Sequence, residues 1–167
     1  MPGEGSIPKK LADGIGKGVL DNKERLIVES SGEIDNGHTI EDTLKIVECS
    51  IQCLKMDMIS NKLASISTFQ KRQVLGLHYV GDKLSLTSTK LLNNGRYSHV
   101  LLRSAVIPRT WHDRHNWIKV FELVVKMNTI LKEQEALTQV LLKENVSGEI
   151  EKLNTIKYFC ASNEDLT

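Results

Sequence analysis

The sequence predicts a single α+β domain in which two long helices and a short C-terminal helix pack on one face of a small antiparallel β-meander. Three observations lead to this fold class. An apolar spacing of 4-3-4-3-4 runs from Ile40 to Met58, strict alternation follows Gln73, and a second, broader helical pattern begins at Trp117. A mostly α-helical fold is the alternative, because residues 89–107 contain few helix breakers.

The first long helix is expected over residues 40–66. Thr39 and Asp42 resemble a capping box with a shortened acid, and the acid suits the positive end of the helix dipole. An apolar stripe at helical spacing is typical of a helix that buries one side. The stripe consists of Ile40, Leu44, Val47, Ile51, Leu54 and Met58.

The meander is expected as three strands over residues 74–80, 83–92 and 96–107. Gly81-Asp82 separates the first two alternating runs, and a Gly-X pair between such runs predicts a hairpin with a type II′ turn. Asn93-Asn94-Gly95 is a second turn signal, and Pro108 ends the last strand.

A second long helix is expected from Trp117. Its apolar residues occupy more than half of the circumference over 117–131, so the helix is either central to the core or shared between the core and a partner. Residues 145–148 break the pattern. Ser147 is expected to cap a final short helix that ends near Phe159.

Three regions follow from these patterns. Residues 1–24 are rich in glycine and are expected to form a flexible N-terminal arm, since each glycine inside a helix destabilises it by about 1 kcal/mol relative to alanine. Residues 25–160 form the single α+β domain, and residues 161–167 form an acidic frayed tail.

Composition excludes several classes of protein. The 167 residues are 40% hydrophobic and 26% charged, as in ordinary globular domains, and no apolar run is long enough for a membrane span. Three cysteines are too few for a disulfide framework, which predicts a cytoplasmic or nuclear protein that is not secreted. No sequence motif indicates a metal, a cofactor or a catalytic site, so a non-enzymatic role is expected.

Charge is unevenly distributed although the net charge is only +1. Residues 83–121 carry seven basic side chains and one acidic side chain, together with both tryptophans. Arginine offers a planar donor fork for phosphate, and aromatic rings offer stacking faces for bases. The segment therefore predicts a site for RNA or another polyanion, formed by Lys90, Arg96, Tyr97, Arg103, Arg109, Trp111, His112, Arg114, His115 and Lys119.

The expected function is a non-enzymatic binding and self-assembly protein that contacts RNA or another polyanion. Small matrix-type or nucleocapsid-associated proteins of RNA viruses are similar in general profile, although no motif is shared. The alternative is a protein–protein adaptor that binds a partner helix through an apolar helix face, without nucleic acid. A small enzyme using the HDRH cluster at 112–115 is the third hypothesis. The expected interface residues are Leu44, Ile51, Ile118, Phe121 and Val125.

Overall fold

The computed structural model describes residues 12–31 and 36–163. In this part of the chain five strands form one mixed sheet in the order β1-β2-β3-β4-β5. Only β2 and β3 are parallel, because helix α1 carries the chain back between them; the other neighbouring strands are antiparallel. The strands are β1 (Gly14–Lys17), β2 (Glu24–Ser31), β3 (Gln73–Val80), β4 (Lys83–Leu91) and β5 (Tyr97–Val106).

Over residues 12–31 and 36–163, two long and two short α-helices accompany the sheet. Among the described residues, no helix combines the length and the apolar character needed to cross a bilayer. Short 3-10 helices precede α3 at Arg114–Asn116 and α4 at Lys152–Asn154. The α-helices are α1 (Asn36–Ser60), α2 (Ile66–Phe69), α3 (Trp117–Ser147) and α4 (Ile156–Ala161).

The two long helices cover opposite faces of the sheet. Val74 and Leu75 are consecutive in β3 and therefore point to opposite sides. Val74 packs with Ile46, Leu54 and Met58 of α1, whereas Leu75 packs with Val120, Leu123 and Ile130 of α3. The α+β class is confirmed, but the prediction that the helices share one face is wrong. The apolar spacing indicates where each helix lies in the sequence, but it does not determine which face of the sheet that helix covers.

The predicted meander is correct in part. Strands β3, β4 and β5 are consecutive antiparallel neighbours close to the expected bounds. Gly81 has a φ of +62°, while Asp82 has no positive φ, as a type II′ turn requires. The meander is not a separate small sheet, however, because β2 pairs with β3 and β1 pairs with β2.

The buried side of strand β2 cannot be recognised from the usual apolar alternation, because that side is largely polar. Arg25, Ile27, Glu29 and Ser31 alternate along the strand on the α1 side, and all four are buried. Such a pattern inverts the usual alternation of apolar inside and polar outside. Each of the three polar side chains forms an ion pair or a hydrogen bond with α1 or the β1–β2 turn, and these contacts hold the strand without an apolar stripe.

Part of the predicted flexible arm is a strand. Residues 1–11 lie outside the described residues, but Gly14–Lys17 form β1 along β2. A Cβ added at Gly14 would lie 3.2 Å from the Cβ of Val28, and one added at Gly16 would lie 3.0 Å from the Cβ of Leu26. These glycines therefore allow close strand packing rather than indicating a flexible segment.

Helix α1 buries only part of the predicted stripe. Leu54 and Met58 are buried, but Ile40 and Leu44 are 61% and 54% exposed. The sheet-facing side also includes Ser50 and Asp57, which the prediction missed because it counted only apolar positions. The helix also ends at Ser60, earlier than expected. The Asn61 side-chain amide donates to the Asp57 carbonyl at 2.9 Å, and asparagine bonds of this kind compete with helix continuation.

The last helix also begins later than expected. Ser147 ends α3 instead of capping the next helix, and Gly148 has a φ of +66°, the left-handed conformation common after a helix end. Helix α4 is capped by Thr155, whose hydroxyl accepts from the Tyr158 amide at 3.3 Å.

A close contact between α1 and the sheet depends on Gly76 in β3. A Cβ at this position would lie 2.4 Å from Ile46 Cγ2 and 2.5 Å from Thr87 Oγ1. The missing side chain therefore sets how closely the helix approaches the central strands.

The Asp57 carboxylate is the centre of a buried charge network. It is fully buried on α1 and accepts from Lys23 Nζ at 2.8 Å through Oδ1. Its Oδ2 lies 3.3 Å from Arg25 Nη2 and 3.0 Å from Arg72 Nε. Asp21 also pairs with Arg25, at 2.5 Å. Two carboxylates thus offset three cations that lie on the β1–β2 turn, β2 and the segment before β3.

Arg72 extends this network to α3. Its guanidinium is fully buried and donates to the Gln134 carbonyl at 2.9 Å and to Thr138 Oγ1 at 3.0 Å. Burial, reinforced by the neighbouring Arg25, lowers the pKa of Arg72 to about 10. Arg72 therefore stays charged at neutral pH and requires the Asp57 carboxylate beside it.

We expect Asp57→Asn to destabilise the fold by about 3–5 kcal/mol, because it leaves three cations without their central carboxylate. Glu122→Gln is the control, since it removes an ion pair with Arg103 that is exposed and worth about 0–1 kcal/mol. Urea unfolding of the two variants and the wild type measures both effects. Equal losses in the two variants would contradict a central role for Asp57.

His99 gives the fold a pH dependence. It lies half-buried on β5, with Nδ1 2.8 Å from Thr89 Oγ1, and burial lowers its pKa below the usual 6.5. Burial also lowers the pKa of His78. Below about pH 6.5 the unfolded chain therefore takes up protons that the folded chain does not, and stability falls as the pH falls.

We expect His99→Gln to reduce the loss of unfolding free energy between pH 7 and pH 5. Glutamine keeps a polar group near Thr89 but does not titrate, and His78 accounts for a remaining part of the slope. Urea unfolding at several pH values measures the dependence. If the unfolding free energy of the variant fell with pH as steeply as that of the wild type, His99 would bind its proton equally well in the folded and unfolded chains.

Candidate interaction surface

The loop between β5 and α3 is held by polar contacts and presents an aromatic side chain to solvent. Arg109 Nη2 donates to the Gly81 carbonyl at 2.9 Å, which fixes the loop to the β3–β4 turn. Thr110 Oγ1 donates to Asp113 Oδ2 at 2.7 Å. Trp111 between them is 77% exposed. Because the backbone around it is tethered, its exposure is a feature of the folded loop.

Arg114 covers one side of the Trp111 ring. Its guanidinium carbon lies 4.7 Å from the ring centroid, and its Nη1 donates to the Trp111 carbonyl at 2.8 Å. This cation–π contact orients both side chains. The exposed segment of residues 111–115, which also contains His112 and His115, is called the aromatic corner below.

Helix α3 carries a second apolar stripe on the side away from the core. Val120, Leu123 and Ile130 are buried against the sheet. Ile118, Phe121 and Val125 are 65%, 62% and 63% exposed, and their spacings of three and four residues place them on one side of the helix. These three residues are called the outer face of α3. Together with the buried residues, they explain why apolar residues occupy more than half of the helix circumference over residues 117–131.

Neighbouring aromatic and aliphatic residues widen this apolar surface. The Trp117 and Phe121 rings stack at 5.9 Å between centroids, with 28° between their planes. Trp117 and Val124 are themselves 42% and 43% exposed. Contiguous apolar exposure of this kind is typical of interaction sites.

Strand β5 adds a free sheet edge beside α3. In the described part of the chain it pairs with β4 on one side only. Arg103 of β5 forms an ion pair with Glu122, which lies next to Phe121 on α3. Val100 and Leu101 are 45% and 59% exposed. An exposed edge strand with apolar side chains offers unpaired backbone groups to another chain.

The ten residues predicted to bind a polyanion fall into two groups. Lys90 and Arg96 lie at the β4–β5 turn, whereas Trp111, Arg114 and the adjacent histidines lie beyond the other end of β5. A strand of ten residues at about 3.3 Å per residue separates the groups by roughly 30 Å. The structure therefore does not form one continuous patch from the predicted set.

Several members of the predicted set are already engaged inside the fold. Tyr97 packs in the α1-side core, and burial raises the pKa of its phenol to about 12. It therefore lacks the exposed ring that stacking requires. Arg103 is paired with Glu122, and Arg109 holds the β3–β4 turn. The remaining exposed group beside α3 consists of Trp111, His112, Arg114, His115 and Lys119.

A bulge in β5 determines the face of the sheet on which the Arg103 side chain lies. Leu86 pairs with Arg103 and Thr87 pairs with Leu101, so Leu102 is the extra residue. Strict alternation would place Arg96 and Arg103 on opposite faces, and the bulge reverses that relation beyond Leu102. Arg103 consequently faces α3, where it meets Glu122.

The two predicted interface residues of α1 lie apart from the outer face of α3. Leu44 is 54% exposed and Ile51 is half-buried, and α1 packs on the opposite side of the sheet from α3. The structure thus separates the predicted interface residues into two surfaces, one on each long helix.

Sequence reasoning missed a polar cluster at the carboxyl ends of the parallel strands. Ser31 of β2 donates to Asp42 of α1, and its hydroxyl lies 3.5 Å from His78 Nε2. Asp42 lies 4.0 Å from the same ring nitrogen. A hydrolase triad needs the acid and the nucleophile on different ring nitrogens, so this arrangement is not one. Recognising β2-α1-β3 as a parallel unit would have predicted polar residues at these strand ends.

An ion pair beside this cluster links the same two elements. Lys45 Nζ lies 2.9 Å from Glu29 Oε1, and burial raises the pKa of the Glu29 carboxyl despite the ammonium group.

Within residues 12–31 and 36–163, no group of three or more His, Cys, Asp or Glu side chains is placed to hold a metal ion. The exposed Asp113 binds Thr110, and its neighbours His112 and His115 are also exposed.

Scans against protein-family models, curated proteins and solved structures each found no match to this chain. Function is therefore inferred from surface geometry and chemistry.

Proposed function

We propose that the chain is a non-enzymatic binding and self-assembly protein. Copies associate through the outer face of α3, and the aromatic corner contacts RNA or another polyanion. The observation that supports this proposal most directly is the outer face itself, where Ile118, Phe121 and Val125 are each more than 60% exposed on a helix whose other side is fully packed.

The apolar character of the outer face of α3 favours another protein surface as its partner. Burying a large apolar side chain contributes about 1.5–3 kcal/mol, and three such residues lie on one stripe. A second copy presents the same stripe, and two-fold pairing brings identical apolar surfaces together. The free edge of β5 lies on the same flank and offers backbone groups that such an interface can pair.

The aromatic corner supports a contact with single-stranded polyanions. Arg114 covers one side of the Trp111 ring and leaves the indole largely exposed for stacking on a base. Arg114 and Lys119 bring positive charge to the same end of α3. Lys90 and Arg96, at the far end of β5, are not part of this proposed contact.

We expect Phe121→Glu to weaken self-association by about 30-fold or more, because it places a charge in the centre of the apolar stripe. Val140→Glu is the matched control, since Val140 is 46% exposed on the same helix but outside the outer face. Sedimentation velocity over a range of protein concentrations measures the effect. A monomeric wild type, or equal weakening in both variants, would overturn assembly through this face.

We expect single-stranded RNA to bind with an affinity that falls with salt, at a logarithmic slope of about −1.4 for roughly two phosphate contacts. Trp111→Ala should reduce the affinity about tenfold through lost stacking. Lys90→Ala combined with Arg96→Ala is the control and should leave the affinity within about twofold. Fluorescence anisotropy at two salt concentrations measures these values.

The adaptor function remains the second candidate, and the same titration separates it from the first. Its supporting observation is also the outer face of α3, which could receive an apolar partner helix instead of a second copy. Absence of RNA binding by the folded wild type at low salt, together with a monomeric wild type, would leave the adaptor as the better account of the outer face of α3.

A further inference from the structure

A groove opens between the C-terminal half of α1 and α4. Its volume is about 570 Å³, within the range of small-molecule sites. Apolar atoms dominate its lining, and the floor includes Met58, which is only 2% exposed. The lining residues are Gln52, Lys55, Met56, Met58, Ile59, Lys62, Lys157, Cys160 and Ala161.

Among the described residues, all the ionisable side chains of this lining other than the Cys160 thiol are lysines, and no carboxylate lines the groove. Lys55 comes from α1, Lys62 from the turn that follows it, and Lys157 from α4. Within the described part of the chain these three ammonium groups form no ion pair. The groove therefore joins an apolar interior to a rim of three lysine ammonium groups that no carboxylate of the described residues pairs.

The groove is short along α1. The α1 residues that line it run from Gln52 to Ile59, and seven residues correspond to about 10 Å of helix axis. A partner helix in a groove is held by anchors at i, i+3, i+4 and i+7 and needs a longer apolar track. The size therefore favours a single flexible chain over a helix as the occupant.

We propose that this groove binds a single-chain anionic amphiphile of the long-chain carboxylate class. The alkyl chain would lie on Met56, Met58 and Ile59, and the carboxylate would meet the lysine rim. Methionine side chains adapt to irregular apolar ligands, and ammonium groups pair with a carboxylate at the water boundary. This site is separate from the surfaces proposed for assembly and RNA binding.

Isothermal titration of the full chain with dodecanoate, kept below micelle formation, tests the proposal. We expect saturable 1:1 binding whose affinity rises about fourfold for each methylene between octanoate and dodecanoate, as burial of the chain requires. Acetate and dodecyltrimethylammonium should not bind, because one lacks the chain and the other lacks the anion. Equal binding of the cationic amphiphile would overturn the proposal.

Two kinds of variant locate the site. Lys55→Glu, Lys62→Glu and Lys157→Glu together should reduce dodecanoate affinity at least tenfold. The control changes Lys71, Lys83 and Lys143, which are exposed elsewhere, to Glu and alters the net charge equally. Ala161→Phe fills the groove while keeping its charge, and should also reduce the affinity at least tenfold. Thermal unfolding selects variants that fold, and unchanged affinity in both folded groove variants would overturn the site.

Cys160 provides a readout at the groove itself. It is a half-buried free thiol in the lining, whereas Cys49 and Cys53 lie outside it. Dodecanoate should slow maleimide alkylation of Cys160 at least fivefold and leave Cys49 and Cys53 unchanged, as measured by peptide mass spectrometry. Alkylation of Cys160 at an unchanged rate under saturating dodecanoate would overturn the proposal.

A membrane lipid and a free carboxylate present similar chemistry, and a vesicle experiment distinguishes them. Flotation with phosphatidylglycerol vesicles reports binding to a lipid surface. Dodecanoate binding without flotation supports a free amphiphile as the ligand. Flotation without dodecanoate binding would overturn the proposal in favour of a membrane contact.

Discussion

The Asp57 carboxylate connects α1 to three other parts of the fold through buried charges. It lies on α1 and binds cations from the β1–β2 turn, from β2 and from the segment before β3. Arg72 then carries the connection around the sheet to α3 through Gln134 and Thr138. Removing charges from water is unfavourable, so such a network requires all of its partners to be in place. One buried acid thus contributes both to the position of α1 on the sheet and to the link between β2 and the segment before β3.

This polar core explains which parts of the fold could be predicted from the sequence. Strands β3, β4 and β5 were predicted because alternation and the turn at Gly81-Asp82 are local signals. The pairing of β1 and β2 with these strands was not predicted. In β2 the buried positions include Arg25 and Glu29, and in β1 the glycines serve close packing rather than flexibility. Their burial depends on partners that are distant in sequence, and no local pattern records those contacts.

The same reasoning applies to the candidate surface. Over residues 117–131 the apolar pattern correctly indicated a helix with more apolar surface than one core needs, and the structure assigns Val120 and Leu123 to the core and Phe121 to the outside. The predicted basic patch depended instead on tertiary placement. The length of β5 separates Arg96 from Arg114, and Glu122 engages Arg103. Sequence neighbours in an extended strand are far apart in space, whereas neighbours in a helix share a side.

The polar core also accounts for the apolar residues left outside on α1. Ser50 and Asp57 occupy part of the sheet-facing side, and apolar residues such as Leu44, Met56 and Ile59 lie on the exposed side. At the C-terminal end of the helix this exposed side meets α4, and the two helices enclose the lysine-rimmed groove. A helix whose core-facing side is wholly apolar would leave few apolar residues for its exposed side. The charge network that fixes α1 on the sheet is therefore also a physical reason that α1 presents apolar residues to this groove.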